Sequence, residues 1–156
     1  MVAKTVLLDT IAFDLYVLRP DELSEIARTA IDEADKVLLS SIILYELSNH
    51  VRTGKVAIRE PFDSFYRQAI RNLGITLMDL QWSALAYLST FAYVTKEVPY
   101  TRTEKGKVIE GIRTDEHKDP WDRLIIAHAL TLDVPVVSND EWFPYYKPLG
   151  LKIIWK

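Results

Sequence analysis

The chain contains no cysteine. That excludes disulfides and thiolate metal sites, and it leaves carboxylate and histidine as the strong ligand types. No apolar run reaches the roughly eighteen residues that a membrane span needs, so none is expected. The opening MVAKTVLLDT lacks the long apolar stretch of a secretory signal, and the cytoplasm is the expected compartment. An excess of positive charge is also missing. The formal net charge is −3, opposite in sign to that of proteins that grip nucleic acid by bulk charge. A chain of this kind that handles nucleic acid must offset the phosphates with local arginines and lysines or with bound cations. There is no internal repeat, no low-complexity segment and no serine in a nucleophile-elbow motif.

What remains is an ordinary globular composition, 49% apolar and 26% charged over 156 residues. It is most simply a single domain over 1–156. TVLLDT (5–10), KVLLS (36–40) and VPVVS (134–138) are short apolar runs of the kind buried on both faces of a parallel sheet. LKIIWK (151–156) reads as a final strand, and ITLMDL (75–80) as an outer strand or extended link. Between them lie helical patterns. Residues 21–34 carry Leu23, Ile26, Ala27, Ala30 and Ile31 on one face. Ser40 or Ser41 caps a helix that Gly54 ends, Pro61 and Gly74 bracket a third, and 81–94 form a fourth. Residues 95–116 break this rhythm with mixed charge, and an extended loop or hairpin is expected there. Strands alternating with helices imply a layered α/β fold around a mainly parallel sheet.

In such a sheet, sites form outside the carboxyl ends of the strands. Asp9 follows the first apolar strand and Asp140 follows VPVVSN. Glu46 lies between Ile42 and Ile43 on its helical wheel, near the apolar side, where a carboxylate is costly without a partner. In HKDPWDRLIIAHAL (117–130), Asp119 reads as an N-cap with Pro120 at the first helical position. Asp122 then occupies the first turn, where free backbone N–H groups favour an ionised carboxylate. Each acid alone has a plain structural explanation as a cap or a solvated side chain. Together, four carboxylates within about 4–6 Å would repel one another and raise one another's pKa values. Mg²⁺ or Mn²⁺ would relieve that repulsion through oxygen ligation. Such an ion polarises phosphoryl oxygens and acidifies bound water, which is the chemistry of phosphodiester hydrolysis.

The segments TVLLDT, LLSSIILYELS, HKDPWDRLIIAHAL and VPVVSNDEWF, in this order, resemble a PIN domain of the VapC toxin type along nearly the whole chain. The resemblance is strongest at HKDPWDRLIIAHAL, where Trp121 replaces the family's Phe and His128 its Gln. It implies a three-layer α/β/α PIN-like fold and an endoribonuclease dependent on Mg²⁺ or Mn²⁺. It implies the toxin of a type II toxin–antitoxin pair, with an RNA substrate, a small antitoxin protein as partner, and homodimerisation. The family's four acids map onto Asp9, Glu46, Asp122 and Asp140, as catalytic residues and metal ligands. Thr10, Ser138 and Asp119 map as their supporting residues. The sequence departs from the pattern after Asp9, where DTIAFDLY carries no histidine and an extra acid, Asp14, and in the long 95–116 segment.

Arg52, Lys55 and Arg123 are candidate RNA contacts, although Arg123 could equally pair with Asp119. Arg102, Lys105, Lys107 and Arg113, with Tyr93 and Tyr100 nearby, could grip RNA by charge and stacking. Five acids share the 95–116 span, so a solvated loop is an equal expectation. His50, His117 and His128 read as structural, with His50 one turn from Glu46 and able to pair with it. Two alternatives stay open within the family: a catalytically silent module that binds RNA or protein, and a housekeeping RNA-processing nuclease. A phosphoacceptor receiver domain fits poorly. It needs paired acids directly after the first strand and a conspicuous late lysine after a strand, and Asp9-Thr10 and Ser138-Asn139-Asp140 do not fit that pattern.

Overall fold

Val6, Leu7 and Leu8 of β1 (Thr5–Leu8) have no exposed surface. Successive side chains on a strand point to opposite faces, so three fully buried residues in a row mean that both faces of the sheet are covered. The structure, a computed structural model, describes residues 4–156. In it β1 pairs in parallel with β2 (Lys36–Ser40) on one side and β6 (Val136–Val137) on the other, with Leu7 opposite Leu38 and Val136. β3 (Thr76–Met78) adds outside β2, and β7 (Ile153–Ile154) outside β6. The order is β3-β2-β1-β6-β7, parallel throughout. Helices flank this sheet, giving the expected three-layer α/β/α fold with a sheet that is wholly parallel. Phe13, Tyr66, Phe143 and Tyr146 are the largest buried aromatic side chains of the core.

The sheet grows to one side through β2 and β3 and to the other through β6 and β7. The connections leaving β1 and β6 therefore part company, and a crevice opens at their carboxyl ends.

Helix boundaries depart from the sequence expectation in three places. Residues 10–18 form α1 (Thr10–Leu18), which carries no clear amphipathic period because Thr10, Ala12, Phe13, Asp14 and Leu15 are all buried. Residues 21–34 divide: Pro20–Glu22 make a 3-10 turn, and α2 (Glu25–Asp32) starts after Ser24, whose hydroxyl accepts from Ala27 N at 3.0 Å. α3 (Ser41–Arg52) and α4 (Phe62–Asn72) follow the pattern closely. α5 (Trp82–Leu88) stops six residues short of Val94. There Ser89 and Thr90 turn their hydroxyls onto the carbonyls of Ala86 and Tyr87, and Arg123 takes the carbonyls of Phe91 and Ala92. α6 (Pro120–Leu132) is buried continuously from Arg123 to Ala129.

Residues 95–116 form two ten-residue antiparallel strands, β4 (Thr95–Glu104) and β5 (Lys107–Glu116). Lys105 and Gly106 link them, both with positive φ, as a tight two-residue hairpin turn requires. The hairpin packs mainly on itself. Its feet are joined by His117 N donating to Val94 O at 2.9 Å. Lys96 fastens the base to the body through an ion pair with Glu141 at 2.8 Å and a seat over the Trp142 ring. No helix among the described residues is long and apolar enough to cross a membrane.

Candidate metal centre

The crevice between β1 and β6 collects the acids singled out in the sequence. Asp9 ends β1 and caps α1, accepting from Ala12 N at 2.6 Å. Ser138, just past β6, accepts from Asp140 N at 3.1 Å, and its hydroxyl acts to lower the Asp9 carboxyl. Asp140 accepts from Trp142 N at 2.7 Å. Glu46 reaches across from α3 to the Thr10 hydroxyl, which donates to it, and pairs with His50 at 3.8 Å. Asp119 caps α6, accepting from the N–H groups of Trp121 and Asp122. Asp122 therefore stands in the first turn of a capped helix, as the sequence pattern requires.

Electrostatics tie these groups together. Asp9 is 3% exposed, and burial pushes its carboxyl from 3.8 to about 7, against the pull of its hydrogen bonds to Ser138 and Ala12 N. The charges of Asp122 and Asp140 add to the rise. Burial also raises Glu46 and Asp140, and the Asp122 charge lifts both further. Asp122 thus acts on all three other acids and is the electrostatic hub of the set. Among the described residues, no lysine or arginine pairs with any of the four. One register step past the Leu8–Leu39 pair, Ser40 falls beside Asp9, and its buried hydroxyl has no hydrogen-bond partner.

As the side chains stand, no group of three or more His, Asp or Glu residues among those described is gathered so that it could hold a metal ion. Asp9, Glu46 and Asp140 are instead drawn toward N–H and O–H donors. The acids act on one another by charge without converging on one centre. For the fit of a cation the donor chemistry decides: oxygen ligands, negative charge in excess, and no fixed counter-ion fit a hard divalent ion.

Arg123 corrects the sequence expectation. It is 6% exposed, bonds the backbone carbonyls of Phe91 and Ala92 at 3.1 and 3.3 Å, and lies against the rings of Phe91 and Tyr93. It therefore holds the chain between α5 and β4, and faces neither Asp119 nor solvent phosphate. Arg52 and Lys55 lie at the surface at the end of α3 with no ion pair among the described residues. Asp14, the extra acid, pairs with Arg19 at 3.2 Å.

Two features were missed in the sequence. His117, read there as simply structural, lies 3.4 Å from Asp122 through Nε2. Its only sequence signal is its place five residues ahead of Asp122. Tyr45 and Trp121 immediately precede Glu46 and Asp122, and their rings meet at 5.2 Å on the rim of the crevice. Nothing in the sequence links residues so far apart.

A parallel-sheet domain with an acidic crevice at its switch point is thus defined. The chain belongs to the PIN domain family, whose sequence profile matches residues 6–147; PIN domains are generally nucleases. The fold is similar to that of a chain in the crystal structure of VapBC2 from Rickettsia felis bound to a DNA fragment from their promoter. The TM-score is 0.56 at 18% identity, over 96% of each chain. No curated protein matches the chain significantly.

Proposed function

We propose that this PIN domain is a VapC-type endoribonuclease that hydrolyses RNA phosphodiester bonds with Mg²⁺ or Mn²⁺. The observation that carries this reading is the uncompensated acidity of the crevice. Asp9 is buried and pushed to about 7, Glu46 and Asp140 are raised despite the opposing pull of His50 and His117, and no lysine or arginine among those described pairs with them. Such an arrangement destabilises a metal-free fold and persists where a cation uses it.

Asp9, Glu46, Asp122 and Asp140 would hold the ion. When bound, it supplies an acidified water and a polarised phosphoryl oxygen. The chain's own residues do the positioning. Ser138 steadies Asp9 and the Asp140 backbone, Thr10 steadies Glu46, and Asp119 fixes the first turn of α6 beneath Asp122. The protein offers no covalent nucleophile here, so water is the attacking group. Arg52 and Lys55 are the remaining basic candidates for the RNA backbone. The exposed ring of Tyr45 against Trp121 offers a surface on which an unpaired base can stack.

The likeness to a VapBC2 chain supports a role as the toxin of a toxin–antitoxin pair; a cytoplasmic homodimer with a small antitoxin partner is the assembly proposed with it. An open cleft of about 400 Å³ between α3, α4 and β3 is lined by Leu44, Phe62, Tyr66, Ile70 and Leu77, with Arg67, Arg71 and one acid, Asp63, beside them. It supports a protein partner that carries apolar and acidic side chains.

The test is cleavage of an end-labelled single-stranded RNA by the purified chain in Mn²⁺, in Mg²⁺ and in EDTA. Cutting is expected with either metal and not in EDTA. Asp140→Asn is expected to remain folded and to lose it. Cleavage that survives both chelation and substitution would overturn the mechanism. Metal-independent RNA binding without cleavage would assign a silent binding module instead.

A further inference from the structure

His117 lies at the meeting point of the hairpin and the crevice. Its ring is 3% exposed and stacks on Trp142, with centroids 4.9 Å apart and planes 10° from parallel. Nδ1 is 2.8 Å from the Tyr146 hydroxyl, and Nε2 is 3.4 Å from Asp122 Oδ2. A carboxylate oxygen accepts, so Nε2 is the nitrogen that must carry the hydrogen, and the Tyr146 hydroxyl then donates to Nδ1.

A neutral imidazole has one donor and one acceptor nitrogen, and the bond made at one fixes the role of the other. If Tyr146 donates to Nδ1, then Nε2 carries the hydrogen and meets the carboxylate as a donor. The opposite tautomer would set the bare Nε2 lone pair against Asp122 Oδ2 in a buried space.

We propose that Tyr146 and His117 form a buried positioning chain that holds Asp122. The chain locks His117 as the Nε2–H tautomer, anchors one oxygen of Asp122, and leaves the other to a divalent cation. It rests on the metal-centre reading given above. It also makes the base of the hairpin part of the site, because Trp142 both stacks on His117 and donates its backbone N–H to Asp140.

The tautomer can be read without metal, by long-range ¹H–¹⁵N NMR of the imidazoles in the full chain at neutral pH. There are 3 histidines. His128 supplies an internal contrast, since its Nε2 accepts from Gln81 N and its hydrogen must sit on Nδ1. His117 is expected to show the reverse pattern, and an Nδ1–H signal for it in the wild-type protein overturns the proposal. In Tyr146→Phe, the His117 signals are expected to shift toward a mixture of tautomers. Mn²⁺ affinity, measured by calorimetry, is expected to fall about tenfold or more, as for losses of outer-shell partners elsewhere. A folded Tyr146→Phe with wild-type affinity and an unshifted His117 overturns the chain. Wild-type protein that binds no Mn²⁺ overturns the metal centre, and with it the purpose assigned here, while the metal-free spectrum still decides the tautomer.

Discussion

Asp9→Asn isolates the cost of the acidic crevice. Asparagine keeps the shape of the side chain and remains a good N-cap, so the bond from Ala12 N can persist through its carbonyl oxygen. What it removes is an ionisable group whose carboxyl stands at about 7 in the fold against 3.8 as a free group. At about 1.4 kcal/mol per pKa unit, ionising Asp9 destabilises the metal-free protein by roughly 4 kcal/mol at most. The folded-state value lies above the unfolded one. Between pH 4 and 7 the native state therefore holds a proton that the unfolded chain has released, and stability falls as pH rises through that window. Urea unfolding at pH 4 and pH 8 measures this directly. The variant and the wild type should nearly coincide at pH 4, and the variant should be more stable by up to about 4 kcal/mol at pH 8. Adding Mn²⁺ at a hundredfold excess over its dissociation constant should restore about 2.7 kcal/mol to the wild type and little to the variant. A variant no more stable than wild type at pH 8, or one with the same advantage at both pH values, would refute the electrostatic account of the crevice.

Three further outcomes follow from the same geometry. Because Asp9 must be ionised to bind a cation, Mn²⁺ affinity should rise with pH up to about 7, and calorimetry in buffers of different ionisation enthalpy should detect proton release; affinity flat from pH 6 to 8 would exclude Asp9 as a ligand. Arg123→Ala should cost about 2–4 kcal/mol in urea unfolding, since the buried side chain loses its packing on Phe91 and Tyr93 and the part-buried carbonyls of Phe91 and Ala92 lose their donors. Lysine at that position should not restore it, because a single ammonium cannot match the planar fork. Tyr45→Ala should raise KM for single-stranded RNA by about tenfold with kcat little changed, in line with the 1–3 kcal/mol of a base–aromatic stack; an unchanged KM would remove Tyr45 from the substrate path.

The parallel core was legible because burial on both faces leaves an unmistakable mark. TVLL, KVLL and VPVV admit no polar residue where the sheet is covered. The acids were legible one at a time, by their positions after strands and in a first helical turn. Their coupling was not, because Asp122 acts on Asp9, Glu46 and Asp140 only through the fold. α1 was hidden by its own burial: a helix covered on nearly all sides shows no stripe for periodicity to find. α5 ends early where the hydroxyls at 89 and 90 turn onto its last carbonyls and the distant Arg123 holds the carbonyls of Phe91 and Ala92 just beyond it, a contact without local signature. Arg123 itself looked like a surface cation beside an acid, and only packing against Phe91 and Tyr93 revealed it as interior.

The closed feet of the β4–β5 hairpin carry an evolutionary consequence. Val94 and His117 are bonded to each other, and Lys96 pins the lower rungs to Glu141 and Trp142, so the arm above them can vary in reach without disturbing the body. Residues added or lost in facing pairs near Lys105 and Gly106 preserve the side-chain alternation below. The upper rungs thus form an exchangeable module. The limit is set at Gly111, where a Cβ would meet the Tyr100 ring at 2.9 Å, so lengthening is freer at the tip than below that rung.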